Sequence, residues 1–430
     1  MITNKRFTDP SYDGWILPET AKDVDGTILQ RHYDESMTAD QLLSEKPWIP
    51  PDVMIDKNGN RLTKGNWKSY RKYLLDTVME YGFGFTPKAP EKIESKILYS
   101  SDESGRYAGV IKTYGGKAVC QRIEISFEAP YGKFSFPIQL VRPIYAEKKT
   151  PAIIHIAFEP SLRDLPLNAD ISTQYAPIEE IIDNGFAYVQ FCYNDIIEDH
   201  VHGDFTKAFK ENGMGKVFFA GERREPSDFG KIGMWAYAAS RVVDYLLSRD
   251  DIDHKCISVA GHSRLGKTAL WAACQDERIF AGLVNCSGFG GAGLFGVAER
   301  RFIDLINNGG IEWWCEKAKE YAYNPKELPY DAHFMIAAAA PRYMSIVSAD
   351  GDCAKYQLAD YLSAYAASPV FETLGLKGLV SPKTLPRPSV IYNEGHIGYA
   401  LRPGAHFFSR WDWNVHMEFI KKKCTQIMKY

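Results

Sequence analysis

Apolar positions along the chain change their period twice. Up to about residue 95 the pattern is irregular, broken by turn-forming runs such as PSYDG, KPWIPP and DKNGN. One stretch stands out: from Trp67 to Tyr81 the residues Tyr70, Leu74, Val78 and Tyr81 recur at helical spacing, which predicts a helix of an N-terminal arm lying on a larger body. From Lys96 to Arg142 the period falls to two. IEISFEAPYGKFSFPIQLV alternates about Pro130-Tyr-Gly-Lys133, which predicts an antiparallel hairpin.

Beyond Pro151 the text becomes short apolar strings separated by helical patterns: AIIHIAF, FAYVQFCY, CISVAG, AGLVNC, MSIVSA and SVIYN. Between the second and third strings, Ile232, Trp235, Ala236, Ala239, Val242, Val243 and Leu246 recur at offsets of three and four, behind Ser227-Asp228 as the expected cap. Strand and helix alternating in this way predict an α/β fold: a doubly wound, mostly parallel sheet with helices on both faces. The expected organisation is an arm over residues 1–95 and a catalytic domain over 96–430.

Composition narrows the function. A chain of 430 residues with 45% apolar and 24% charged residues can bury a sizeable core. Its net charge of −3 and lack of a long Lys/Arg run exclude the footprint of a nucleic-acid or anionic-membrane binder. Its purest apolar stretch, Phe334 to Ala340, is too short to span a bilayer, and the N-terminus lacks the apolar core of a signal peptide. A cytoplasmic location is therefore expected, or a secreted one if a leader was removed. Eight cysteines without a CxxC pair are expected to be reduced, buried thiols, with no metal site.

The chemistry concentrates in Ile257-Ser-Val-Ala-Gly-His-Ser-Arg-Leu-Gly-Lys-Thr-Ala-Leu270, an apolar strand, a tight turn and a helix. A serine on such a turn, between small residues, is the arrangement of a nucleophile elbow, and the first amides of the following helix can receive an oxyanion. An ordinary turn that happens to contain a serine is the plain alternative.

The run from Asp228 to Asp276, with its G-x-S-R-x-G-K segment, resembles the glucuronoyl esterases of carbohydrate esterase family fifteen. Blocks at Ser287-Gly-Phe-Gly-Gly-Ala292, Leu328-Pro-Tyr-Asp-Ala-His333, Ala340-Pro-Arg342 and Gly398 to His406, leading into Asp412-Trp413, extend the likeness over roughly residues 60 to 425. The resemblance implies an α/β-hydrolase fold and a serine carboxylic-ester hydrolase, without metal or organic cofactor, acting on uronic-acid esters of the 4-O-methyl-glucuronoyl type. It implies Ser263 as nucleophile, His406 as base, Arg264 as an oxyanion donor and Lys267 as a sugar-hydroxyl ligand.

Several positions depart from the family pattern. A glutamate common in relatives corresponds to Cys286, which cannot orient an imidazolium. The acid is expected instead in the turn of MSIVSADGD, at Asp352 in preference to Asp350. A sugar-stacking tryptophan of relatives corresponds to Ala354, and a sugar-gripping glutamate maps near Arg301, with Glu299 a substitute only if the register shifts. Trp313 and Trp314, in the long segment 288–330, are candidates either to pack against a sugar or to anchor a core. Asp331 and His333 read as a structural cap. Two other functions stay open: an acetyl-type carbohydrate esterase, and a catalytically inactive carbohydrate-binding relative. The oligomeric state is not legible.

Overall fold

The computed structural model describes residues 36–44, 49–102, 114–144, 149–173, 175–199, 212–219, 224–295, 310–352 and 356–427. Ten strands form one sheet: β1 (Ile93–Ser100), β2 (Ala118–Ala129), β3 (Gly132–Pro143), β4 (Thr150–Ala157), β5 (Ala187–Cys192), β6 (Ile252–His262), β7 (Ala281–Asn285), β8 (Tyr343–Ala349), β9 (Ile391–Tyr392) and β10 (Ile397–Arg402). Their order is β1-β2-β3-β5-β4-β6-β7-β8-β10-β9. The run from β5 to β10 is parallel, whereas β1, β2, β3 and β9 pair antiparallel. The expected hairpin is present, with Ala129 opposite Gly132.

Six helices matter for the site: α1 (Trp67–Val78), α2 (Lys231–Leu247), α3 (Arg264–Gln275), α4 (Ala332–Ala338), α5 (Tyr356–Thr373) and α6 (Arg410–Ile427). Strand periodicity sorts them between the two faces of the sheet, because neighbouring residues point oppositely. Ile154, Val189 and Val259 join Trp235 of α2, Trp271 of α3 and Leu362 of α5 in one apolar cluster. The adjacent residues Ile153, Tyr188 and Ala260 join Trp413, Met417 and Ile420 of α6 in another. Three layers result, each large buried side chain contributing roughly 1.5–3 kcal/mol of apolar burial. The doubly wound, mostly parallel sheet anticipated from the strings is present, in the α/β-hydrolase fold that the resemblance implies.

Helix α1 buries Tyr70, Leu74, Leu75 and Val78, the spacing read from the chain. Its Arg71 donates to the Ala338 and Cys274 carbonyls at 2.8 and 2.6 Å, satisfying acceptors at the ends of α4 and α3.

Three local expectations need correction. Helix α2 is capped by Gly230, not by Ser227-Asp228; a Cβ at Gly230 would lie 2.5 Å from the Trp314 carbonyl oxygen, and Asp228 instead accepts from the Glu225 amide at 2.7 Å. The string SVIYN yields only the two-residue, antiparallel β9, and the strand that extends the parallel run beyond β8 is β10. Finally, Cys256 of β6 and Cys424 of α6, 168 residues apart, are joined by a disulfide, whereas Cys120, Cys192, Cys274, Cys286 and Cys315 are buried free thiols.

Candidate active site

Strand β6 delivers Ser263 to the start of α3 with φ 56° and ψ −124°, a conformation that L-residues rarely adopt. The turn closes only because its neighbours are glycines. A Cβ on Gly261 would lie 2.1 Å from the Leu265 carbonyl oxygen, and one on Gly266 would lie 2.8 Å from that of Asn285. The Ser263 amide donates to the same Asn285 oxygen at 2.9 Å, tying the turn to β7. Strained backbone held by such contacts projects the hydroxyl at the end of the sheet, and the first amides of α3 lie beside it.

The imidazole comes from the opposite end of the chain. His406 Nδ1 is 2.6 Å from Asp352 Oδ2; the imidazole side chain is 43% exposed, and the carboxylate 8%. Of the two turn aspartates, the partner is Asp352. Asp350 instead donates its backbone amide to the Arg402 carbonyl at 2.8 Å, which docks the acid-bearing turn on β10.

The loop carrying His406 is shaped by Arg402, a residue that sequence reasoning left unassigned. Its buried guanidinium donates to the Pro403, Ala405 and Phe407 carbonyls at 3.1, 2.9 and 3.1 Å and to Asp412 Oδ1 at 2.8 Å. Asp412 Oδ2 in turn accepts from the Ser409 amide at 2.7 Å. The signal was within Gly398 to Trp413, where an arginine and an aspartate flank a glycine-containing loop.

Cys286 sits behind the pair, 3% exposed and at φ 43°. Burial first, and the nearby Asp352 carboxylate second, push its thiol well above the usual range, so it remains protonated. Its sulfur, an Asp352 oxygen and a His406 nitrogen lie within 4.8 Å of one another. Such a trio could hold a thiophilic cation only by giving up the Asp352–His406 hydrogen bond.

Ser263, Arg264 and His406 line one cavity of about 440 Å³. Its other wall carries Phe158, Glu159 and Tyr175 from the segment after β4. The His262 ring lies 4.4 Å from that of His406 and donates through Nδ1 to Asn285 Oδ1 at 2.5 Å. Burial, aided by His406, pushes His262 well below the usual imidazole range, so it is a neutral wall.

Arg264 reaches this cavity and donates through Nη1 to Asp199 Oδ2, another residue that the sequence did not single out. Lys267 does not line the cavity. It is 7% exposed, its ammonium donates to the Ser287 carbonyl, and burial pushes it down to about 8 against the pull of Asp360. Trp313 and Trp314 do not present a face to a sugar: they are 6% and 3% exposed within the main apolar cluster, and the Trp313 indole N–H donates to Asp199 Oδ1 at 2.5 Å. Arg301, Glu299 and Ala354 lie outside the described residues. Asp331 caps α4 as expected, accepting from the Ala332 amide at 2.6 Å, and His333 is buried.

With this geometry in hand, known proteins supply a context. Residues 125–375 match the family model described as glucuronyl esterase, fungi. Carbohydrate esterase MZ0003, from an unknown prokaryotic organism, is 28% identical over 427 residues and covers 92% of each chain. A 4-O-methyl-glucuronoyl methylesterase of Schizophyllum commune is 24% identical over 351 residues, covering 76% of this chain and 74% of its own. The structure of a glucuronoyl esterase from Solibacter usitatus superposes with a TM-score of 0.75 at 27% identity, covering 90% of this chain and 99% of that one. A promiscuous CE15 esterase from a marine bacterial metagenome gives 0.74 at 25% identity, covering 90% and 98%.

Proposed function

Because the chain belongs to the glucuronyl esterase family and is a carboxylic ester hydrolase of carbohydrate esters, we propose that it cleaves 4-O-methyl-glucuronoyl-type esters through an acyl-enzyme on Ser263. In this reading Ser263 Oγ attacks the ester carbonyl while His406 Nε2 takes its proton, and Asp352 stabilises the imidazolium through Nδ1. The Arg264 guanidinium and the first amides of α3 receive the developing oxyanion. His406 then protonates the leaving alcohol, water enters, and the same imidazole accepts its proton as the acyl bond to Ser263 breaks.

One observation carries the proposal: an elbow serine and an imidazole braced at 2.6 Å by a buried carboxylate open into the same cavity. That arrangement also speaks against an inactive carbohydrate-binding relative, which would have no use for a braced imidazole. The test is Ser263→Ala assayed on methyl and benzyl glucuronate beside the parent. A loss of at least about 10³-fold in kcat is expected, and undiminished turnover would remove Ser263 from its role.

A second reading, a broader or acetyl-type specificity on the same machinery, is favoured by the burial of Trp313 and Trp314, which leaves Phe158 and Tyr175 as the cavity's aromatic surfaces. Acetylated xylo-oligosaccharides assayed against uronate methyl esters separate the two readings. No helix among the described residues is long and apolar enough to cross a membrane. The Cys256–Cys424 bridge supports an oxidising compartment over the cytoplasmic one expected from the N-terminal text.

A further inference from the structure

A knot of buried charge beside the cavity lies outside the candidate triad. Arg264 Nη1 donates to Asp199 Oδ2, the Trp313 indole N–H donates to Asp199 Oδ1 at 2.5 Å, and Lys231 Nζ donates to the Asp199 carbonyl at 2.7 Å. Lys231 is itself paired with Glu312 at 2.5 Å. The guanidinium carbon lies 4.8 Å from the Trp313 ring centroid and 5.7 Å from that of Phe158. Asp199 is buried, whereas the Arg264 side chain is 24% exposed and reaches the cavity. The cation is thus held by a carboxylate whose own position is set by an indole and an ammonium.

Ester hydrolysis changes the charge of the acyl half. A neutral ester enters; water cleaves the acyl bond to Ser263, the hydroxyl proton returns to Ser263 Oγ, and the acid loses its own proton to solvent and leaves as a carboxylate. A cation beside the carbonyl attracts the transient oxyanion, which speeds the reaction, and equally attracts the product carboxylate, which does not. Guanidinium–carboxylate pairs are among the stronger charge-assisted contacts, so a guanidinium without a counter-charge would retain product. A fixed internal carboxylate changes that balance. It engages part of the donor fork permanently and offsets the positive charge that would otherwise hold a stable anion.

We infer that Asp199 is a positioning residue that aims Arg264 at the oxyanion and, by neutralising it, lets the enzyme release its own uronate product. The inference rests on the oxyanion reading of Arg264 given above. Asp199→Asn keeps the size of the side chain and an oxygen for the Trp313 indole while removing the charge. With methyl glucuronate as substrate and glucuronate as added product, kcat should fall about tenfold and the glucuronate inhibition constant should also fall about tenfold, meaning tighter product binding. A purely structural role would lower activity without tightening product. In an Arg264→Ala background the same substitution should change neither quantity.

Asp199→Glu supplies a second measurement should the amide variant fail to fold: the charge is kept but displaced, so kcat falls while the glucuronate constant stays at the parental value. An unchanged or weaker glucuronate inhibition in folded Asp199→Asn, a tightened one in Asp199→Glu, or an undiminished Asp199 effect in the Arg264→Ala background would overturn the inference. The oxyanion reading fails separately, and visibly without any product titration, if Arg264→Ala alone retains full kcat.

Discussion

His406 Nδ1 and Asp352 Oδ2 meet at 2.6 Å although 54 residues separate them in the chain. The contact joins the turn after β8 to the loop after β10, two adjacent parallel strands whose ends lie side by side. It fixes the ring through Nδ1, which leaves Nε2 for the role proposed for it.

Removing that carboxylate should be costly for rate and mild for binding. Asp352→Asn is expected to lower kcat by about 10²–10⁴-fold with KM for methyl glucuronate little changed. Because the Cys286 sulfur lies within 4.8 Å of both partners, adding Cys286→Glu should restore part of the loss. Steady-state kinetics on the single and double variants decide this, and parental kcat in Asp352→Asn would exclude Asp352 from the mechanism.

Arg402 and Asp412 form a fully buried ion pair that also satisfies three loop carbonyls. Arg402→Met strands a buried carboxylate, which should cost about 3–5 kcal/mol in urea unfolding. Arg402→Met with Asp412→Leu should cost less, since no charge is left behind. Additive losses in the double variant would contradict this account.

Stability should also carry a pH signature from beneath the site. Burial, ahead of the opposing Ser348 hydrogen bond, pushes the Asp360 carboxyl up to about 7, whereas in the unfolded chain it titrates near ~3.9. Between those values the folded state holds a proton that the unfolded state has lost, so stability falls as pH rises from about 4 to about 7. Lys267 acts oppositely: with a folded value of about 8 and an unfolded one near ~10.4, the unfolded state binds more protons and stability rises across that interval. Asp360→Asn should flatten the lower limb and, by removing the pull that Asp360 exerts on Lys267, start the upper one at lower pH. Denaturation midpoints measured from acid to alkaline pH check both limbs, and a lower limb as steep as the parent's would refute the assignment.

The Cys256–Cys424 bridge closes a long loop between β6, which carries the elbow, and α6, which follows the His406 loop. Its loss in Cys424→Ser, or on reduction, should cost about 2–4 kcal/mol and lower Tm by several degrees. Thermal melts with and without reductant, alongside thiol counting, test it. A parental melting temperature in Cys424→Ser would show that the bridge contributes nothing to stability.

What the chain determines by itself is local. The strand, glycine, serine, glycine and helix sequence around Ser263 spells an elbow because backbone sterics and period depend on near neighbours alone, and the alternating hairpin about Pro130 is legible for the same reason. The apolar strings likewise announced a parallel sheet, since a strand buried on both faces must be apolar throughout. Burial and pairing across distance were left to the tertiary structure. Trp313 and Trp314 have the same composition whether they flank a sugar or fill a core, and only packing put them inside. Asp199 meets Arg264 from 65 residues away, Arg402 closes on Asp412, and Cys256 finds Cys424, because strand order and helix docking bring those segments together. Side-chain periodicity specifies which face a residue takes; which residue waits on the other side follows from the global arrangement of the sheet.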